Sequence, residues 1–294
     1  MNSKKTAVAL GLFDGVHLGH RAVLRAAYEQ KQNGLVPCVF TFPPESVLRK
    51  SGGNGGYIYT SDVKHRLFAD SCGIADVVSP PFEDICGISG EEFAEAVLHR
   101  QLNAEFVCCG NDFRFGRKAA CGVEELRDFG EKYGFEVRTV DNVCKADSVI
   151  SSSEIRRLLL NGAIEQANLF LGEPYTIIRE VSHGAQLGRT IGFPTINQLF
   201  GDGQLVPQYG VYASRTMADG KWYPSMTNIG VKPTVEYGGM PLAETYIHGY
   251  SGDLYGKTVK AVLLKFIRPE RKFSSVEELK IQISADISAA VSII

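Results

Sequence analysis

The apolar run TAVAL, residues 6–10, leads directly into GLFDGVHLGH, residues 11–20, and that junction limits the fold more than any other feature of the chain. A buried strand that passes through a glycine-rich turn into a helix, placed here to begin at His20, leaves free backbone N–H groups and a positive dipole end at the turn. Phosphate binds well at such a place. His17 and His20 are spaced so that both imidazoles face one site, and Gly19 between them lets a phosphate approach the backbone. Gly11, Phe13, Asp14 and Gly15 complete the turn, which reads as a nucleotide-binding loop. In nucleotidyl transfer the donors that follow charge on the phosphoryl group supply the catalysis, and two imidazoles do this without a covalent intermediate. The plain reading of a lone histidine is a helix cap or a packed turn. With 6 His and 31 Gly in 294 residues, however, HxGH arises by chance only about once in a hundred such chains. A histidine pair binding metal is the rival, and no Cys or carboxylate pattern nearby completes a ligand set.

The residues around this turn repeat its architecture. Short β-rich runs at 6–10, 35–42, 75–78, 105–109 and 135–140 alternate with helical patterns, which predicts a mostly parallel, doubly wound α/β sheet. Ser61 is placed as the cap of a helix ending at Gly73, Ser89 with Glu92 forms a capping box, and Gly134 stops a helix over 123–133. The helices SSEIRRLLLN and AIEQANLFL close this part near Gly172. Beyond it come YTIIREV, GVYASRTM, KWYPSMTNIG, AETYIHGY and KTVKAVLLKFI, separated by Gly, Asp and Pro turns, the texture of an all-β barrel or sandwich. A last helix starts near Ser274 or Ser275. The expected domains are therefore 1–172 and 173–294. The run SGGNGG, residues 51–56, reads as a mobile loop.

Composition narrows the partners. The net charge is -2 and no Lys/Arg block occurs, so a nucleic-acid or membrane-surface footprint is missing and a small-molecule partner is favoured. No stretch approaches the roughly 18 to 20 apolar residues that span a bilayer. Seven cysteines with no CxxC pair fit neither a disulfide framework nor a zinc site, and they read as reduced core thiols of a cytoplasmic protein.

Two further constellations carry chemistry. In ISSSEIRR, Ser152, Ser153 and Arg156 set hydroxyls and a guanidinium at a helix start, a second anion grip beside the HxGH turn. In HGAQLGRTIGFPTIN, Gly184, Gly188 and Gly192 keep a loop thin, Arg189 adds positive charge, and Pro194 leads into Thr195 and Asn197. These two neutral oxygen ligands, two residues apart, face one side of an extended segment and suit Mg²⁺, which prefers oxygen and keeps waters. A plain turn is the alternative for such a Gly/Pro-rich stretch. Glu244 in LAETYIHGY, on an apolar strand, is the candidate base for a hydroxyl nucleophile, with a rim salt bridge as its alternative role.

With HxGH, ISSSEIRR and GNDFRFG at 110–116, the first half resembles the FMN adenylyltransferase domain of bacterial bifunctional riboflavin kinase/FAD synthetases. That resemblance implies that His17, His20, Ser152, Ser153 and Arg156 hold ATP and that Asn111 and Asp112 lie on the flavin side, or serve only as turn formers. GRTIGFPTIN, YGVYAS, TNIGVKPT, AET and DLYGK match the riboflavin kinase domain in order. This implies a six-stranded barrel with a C-terminal helix, Thr195 and Asn197 on ATP and magnesium, and Glu244 as base. Arg268 in IRPERKF lies near the flavin or at the surface. The chain departs from the family at Leu12, where Asn is frequent, at TFPPESVL, which lacks the histidine of TFxPHP and has Glu45 nearby, and at Tyr246, where E-x-H is usual.

The expected enzyme converts riboflavin and ATP to FMN in the second domain and FMN and ATP to FAD in the first, with Mg²⁺ assisting both. Two alternatives stand beside it: a riboflavin kinase whose transferase half turns over poorly, and a non-catalytic flavin sensor.

Overall fold

The computed structural model describes residues 4–51, 56–145, 148–183, 187–231 and 239–293, so most of the SGGNGG run and Gly184 lie outside it. The chain divides into two compact units, Met1–Ser152 and Ser153–Ile294.

In the first unit the chain runs β1 (Thr6–Leu10), α1 (Leu18–Glu29), β2 (Val36–Phe40), α2 (Pro44–Ser51), α3 (Ser61–Cys72), β3 (Asp76–Val78), α4 (Phe82–Ile85) and α5 (Gly90–Glu92). A π-helical stretch, Phe93–Gln101, continues α5, and β4 (Ala104–Gly110), α6 (Val123–Tyr133), β5 (Glu136–Val140) and a small hairpin, β6 (Cys144–Lys145) with β7 (Ser148–Val149), follow. The five-stranded sheet is parallel in the order β3-β2-β1-β4-β5, the doubly wound arrangement expected from the alternating pattern. β1 lies at its centre, and all five of its residues are buried. Val8 and Leu10 join a core with Phe40, Phe93, Val107 and Leu126, while Ala7 and Ala9 point to the other face, where their small side chains let α1 pack closely. The strand order reverses between β1 and β4. Chains of this topology open a crevice beyond the carboxyl ends of those two strands, here after Leu10 and Gly110.

Several helix ends follow the sequence. Ser89 and Glu92 form a reciprocal capping box, and Gly73, Gly134 and Gly172 take left-handed conformations that end their helices. Two starts differ. α1 begins at Leu18 rather than His20, because the His17 side chain caps it. The cap position of α3 is Thr60, and the Ser61 hydroxyl instead donates to Glu45 at 3.0 Å.

The second unit takes up α7 (Ser152–Leu160) from Ser153 on and continues with α8 (Ile164–Leu171). Then come β8 (Tyr175–Glu180), α9 (Leu187–Thr190), β9 (Thr195–Leu199), β10 (Gly210–Ala218), β11 (Lys221–Val231), β12 (Pro241–Ile247), β13 (Thr258–Pro269) and α10 (Val276–Ile293). Six antiparallel strands in the order β8-β13-β10-β11-β12-β9 curl into a half-open barrel, whose end strands meet at one bridge, Ser182 to Asn197. A row of hydroxyls, Ser214, Thr227 and Thr245, crosses three strands with 2.8 and 2.9 Å hydrogen bonds, so these buried polar groups are satisfied. On the opposite face, Ala290, Ile283 and Ile287 of α10 pack on Val211, Ala213, Met226 and Tyr246.

All seven cysteines are free thiols. Cys38, Cys108 and Cys109 are buried as expected, but Cys72, Cys86 and Cys121 are only partly covered and Cys144, on the small hairpin, is exposed.

Candidate active sites

The loop from β1 to α1 is held in an unusual shape. Phe13, Gly15 and Val16 all have positive φ, at 50°, 86° and 44°. For a β-branched residue such as Val16 this is a strained conformation, which persists only where the surroundings enforce it and which clusters at functional sites. The enforcement is visible: Asp14 Oδ1 accepts the Ile58 amide at 2.9 Å, the Asp14 carbonyl accepts the Ser152 hydroxyl at 2.8 Å, and the Arg21 guanidinium donates to the Val16 carbonyl at 3.0 Å.

This loop delivers the two histidines together at the start of α1. Their rings stack with centroids 3.5 Å apart. His17 Nδ1 accepts the His20 amide at 3.3 Å, so in the neutral ring the proton sits on Nε2. A side chain at Gly19 would press on the His17 ring at 3.2 Å. His20 Nδ1 is buried with no hydrogen-bond partner. Burial first, then His17 and Lys64, hold the His20 pKa well below the ordinary histidine value, so His20 is neutral near pH 7. The first turn of α1 carries no carboxylate, which leaves its positive end uncompensated.

Beneath the loop lies a residue that the sequence reading passed over. Lys64 is 1% exposed, and its ammonium donates to the Leu12 carbonyl at 2.7 Å, Thr41 Oγ1 at 3.1 Å and the Phe42 carbonyl at 3.2 Å. Burial pushes its pKa down to about 8, against the opposing pull of Asp14 and Glu45. The signal was available: Lys64 sits on the apolar stripe of α3 with Val63, Leu67 and Phe68, where a lysine needs partners.

Of the other residues singled out in this half, Gly11 is closed over by the Phe13 ring. Asn111 and Asp112 are exposed in the turn after β4, across the crevice from the HxGH loop. Ser152 belongs to the first unit through its bond to Asp14. Ser153 and Arg156 stand on α7 in the second unit, exposed and half-buried.

In the second unit the pairing of strands assembles the site. Glu244 lies directly opposite Asn197 across β12 and β9, and Tyr246 lies opposite Thr195. Residues paired across antiparallel strands share a face, and so do residues two apart. Thr195, Asn197, Glu244 and Tyr246 therefore form a two-by-two array, and they line one cleft of about 380 Å³ with Gly188, Pro194, Tyr250 and Tyr255. Asn197 Oδ1 is buried without a hydrogen-bond partner. A buried carbonyl oxygen left unpaired costs free energy unless a ligand answers it, and beside a hydroxyl oxygen a hard divalent cation fits the need. No group of three or more His, Cys, Asp or Glu able to hold a metal occurs among the described residues.

The thin loop has a steric reason. A Cβ on Gly188 would come within 2.4 Å of the Phe193 carbonyl oxygen, and Gly192 has φ 93°. The Arg189 side chain lies outside the described residues. Asn228, unnoticed in the sequence, pairs with Glu244 from the β11 side and so extends the Asn197–Glu244 rung to a third strand. Its amide donates to Glu270 at 3.3 Å. Arg268 is engaged by Asp286 of α10 through bonds of 2.7, 3.0 and 3.1 Å, with Gln282 also on Asp286.

Comparison with known proteins matches both halves. The model of the FAD synthetase family covers residues 1–154, and that of riboflavin kinase covers residues 171–294. The bifunctional riboflavin kinase/FMN adenylyltransferase of Escherichia coli K12 is 34% identical over 95% of this chain and 90% of its own. That of Bacillus subtilis is 34% identical over 98% and 92%. A solved structure described as a macrolide-efflux protein from Streptococcus pneumoniae superposes with a TM-score of 0.85 at 28% identity, covering 99% of this chain and 95% of that one.

Proposed function

The chain belongs to the bifunctional riboflavin kinase/FMN adenylyltransferase family, and from that premise we propose which residues carry each of its two reactions. With ATP it phosphorylates riboflavin to FMN, and with a second ATP it adenylylates FMN to FAD.

Phosphorylation belongs to the cleft lined by the paired strands β9 and β12 and residues 250–255. Glu244 accepts the proton of the ribityl 5′-hydroxyl as that oxygen attacks the γ-phosphorus of ATP and ADP leaves. Asn197 Oδ1 and the Thr195 hydroxyl would hold Mg²⁺, which would neutralise charge on the phosphate oxygens of ATP. Gly188 and Gly192 let the loop lie close to those phosphates, Tyr246 covers the cleft beside Phe193, and Asn228 flanks the base. The observation that carries this assignment is the single rung holding Glu244 opposite Asn197, whose buried oxygen has no hydrogen-bond partner among the described residues.

Adenylyl transfer belongs to the HxGH loop at the β1–β4 crevice. The FMN phosphate is already anionic and needs no base. It attacks the α-phosphorus, and pyrophosphate departs. His17 Nε2–H, His20 and the amides at the start of α1 follow the charge on the phosphoryl oxygens. A neutral His20 donates its hydrogen bond and then releases pyrophosphate without an ion pair to break. Ser153 and Arg156 are assigned to the ATP phosphates, and Asn111 and Asp112 to the flavin. The lost TFxPHP histidine leaves the anchoring of that segment intact, since Thr41 and Phe42 are tied to Leu12 through Lys64. We assign the reaction to a reducing compartment, the cytoplasm, because seven cysteines are present and none is joined in a disulfide.

Reciprocal variants test the division. Glu244→Gln lowers riboflavin phosphorylation by about 10² to 10⁴ and leaves FAD formation from supplied FMN unchanged, and His20→Ala does the reverse. Parallel loss of both reactions in either variant overturns the two-site assignment.

A further inference from the structure

Lys64 stands out from the rest of the molecule as a buried cation for which neither reaction has a step. Its three ammonium protons are all consumed by neutral oxygens: the Leu12 carbonyl, Thr41 Oγ1 and the Phe42 carbonyl. No proton remains for a substrate. A lysine used only to join two loops is an expensive device, because a buried charge pays desolvation that an apolar side chain of similar volume avoids. What the charge adds is its effect on its neighbours. Leu12 immediately precedes the strained stretch that presents His17 and His20, and the charge of Lys64 acts on His20 directly.

We propose that Lys64 is a positioning residue for adenylyl transfer: its ammonium pins the β1–α1 loop to the segment after β2 and sets the charge environment of His20. The proposal rests on the assignment of adenylyl transfer to this loop. Other charged and titratable groups face the pair from each packed element. They are Asp14 from the loop, His17 at the start of α1, Glu45 from α2, and His65 from α3 itself, on which Asp62 acts in turn. Asp14 and Glu45 favour the charged lysine, so the cation persists at neutral pH despite its burial. The electrostatic sign is then fixed. Removing the cation eases protonation of His20, so its titration moves to higher pH.

The test uses the full chain labelled with ¹³C-histidine, with the His20 resonance assigned by its loss in His20→Gln. The His20 titration midpoint and the pH profile of kcat/KM for FMN adenylylation are measured in wild type, Lys64→Met and Lys64→Arg. In Lys64→Met the midpoint rises toward the ordinary histidine range, the acidic inflection of the profile rises with it, and kcat falls about tenfold. Riboflavin phosphorylation in the same samples stays at the wild-type rate. Lys64→Arg keeps the charge and therefore the low midpoint, even with kcat reduced. A midpoint unmoved in Lys64→Met is what a merely structural clip gives, and it overturns the proposal. So does a midpoint raised in Lys64→Arg, which decides the matter if the Met variant fails to fold. Failure of the wild type to make FAD at all would instead refute the assignment of the reaction, and the resonance measurement separates the two cases.

Discussion

At the scale of single residues, both sites are built from polar atoms placed where the fold alone has no use for them. His20 Nδ1 and Asn197 Oδ1 are buried and unpartnered, one beside the helix start and one in the barrel cleft. Each raises the free energy of the folded chain until a ligand answers it. His20 also makes stability depend on pH, with a definite sign. Because burial, His17 and Lys64 depress its folded pKa, the unfolded chain takes up a proton that the folded chain refuses once pH drops below the ordinary value of about 6.5. The first unit thus keeps the full contribution of neutral His20 above that pH and loses it progressively below. Calorimetry between pH 7.5 and 5.5 should find that transition less sensitive to acid in His20→Gln than in wild type; equal sensitivity would remove the basis for a neutral His20. The position of HxGH at a strand-to-helix turn and of Thr195 and Asn197 on one strand face was legible in the sequence, because a single turn or strand fixes those spacings. Lys64 and Asn228 were not. Their significance lies in contacts between segments distant in sequence, Lys64 with Leu12 and Asn228 with Glu244, which no local pattern encodes.

At the scale of elements, the parallel strands and the glycine stops of the helices could be read because a buried central strand is apolar throughout and a left-handed helix end demands glycine. Helix starts shifted by one or two residues, since His17 and Thr60 take cap positions that are usually given to Ser or Asp. The last helix shows what local pattern omits. Its capping serines announced a helix, but its docking depends on Asp286, nearly buried and gripped by Arg268 from β13. Removing one member of a buried pair leaves the other charge unanswered. Asp286→Ala should therefore destabilise the second unit by about 3 kcal/mol, toward the low end because the Arg268 side chain is 19% exposed. Trp222, the single tryptophan, lies in β11 and reports that unit's urea transition by fluorescence. A change below about 1 kcal/mol would reduce the pair to a surface contact.

At the scale of the whole molecule, two units of different architecture each present one constellation suited to phosphoryl chemistry at a different phosphorus of ATP. The doubly wound sheet supplies a helix start beside a crevice, which suits attack at the α-phosphorus through hydrogen-bond donors. The half-open barrel supplies a carboxylate and two oxygen ligands on adjacent strands, which suits a hydroxyl nucleophile and a metal-bound triphosphate. The change of texture near Gly172 revealed two architectures in the sequence, and the contacts divide the chain at Ser152, ahead of helices α7 and α8. The most direct measurement is chromatographic analysis of the products formed by the purified chain from riboflavin, ATP and Mg²⁺. FMN appearing first, followed by FAD with release of pyrophosphate, is the predicted result. FMN that accumulates without FAD, or riboflavin left unchanged, would contradict it.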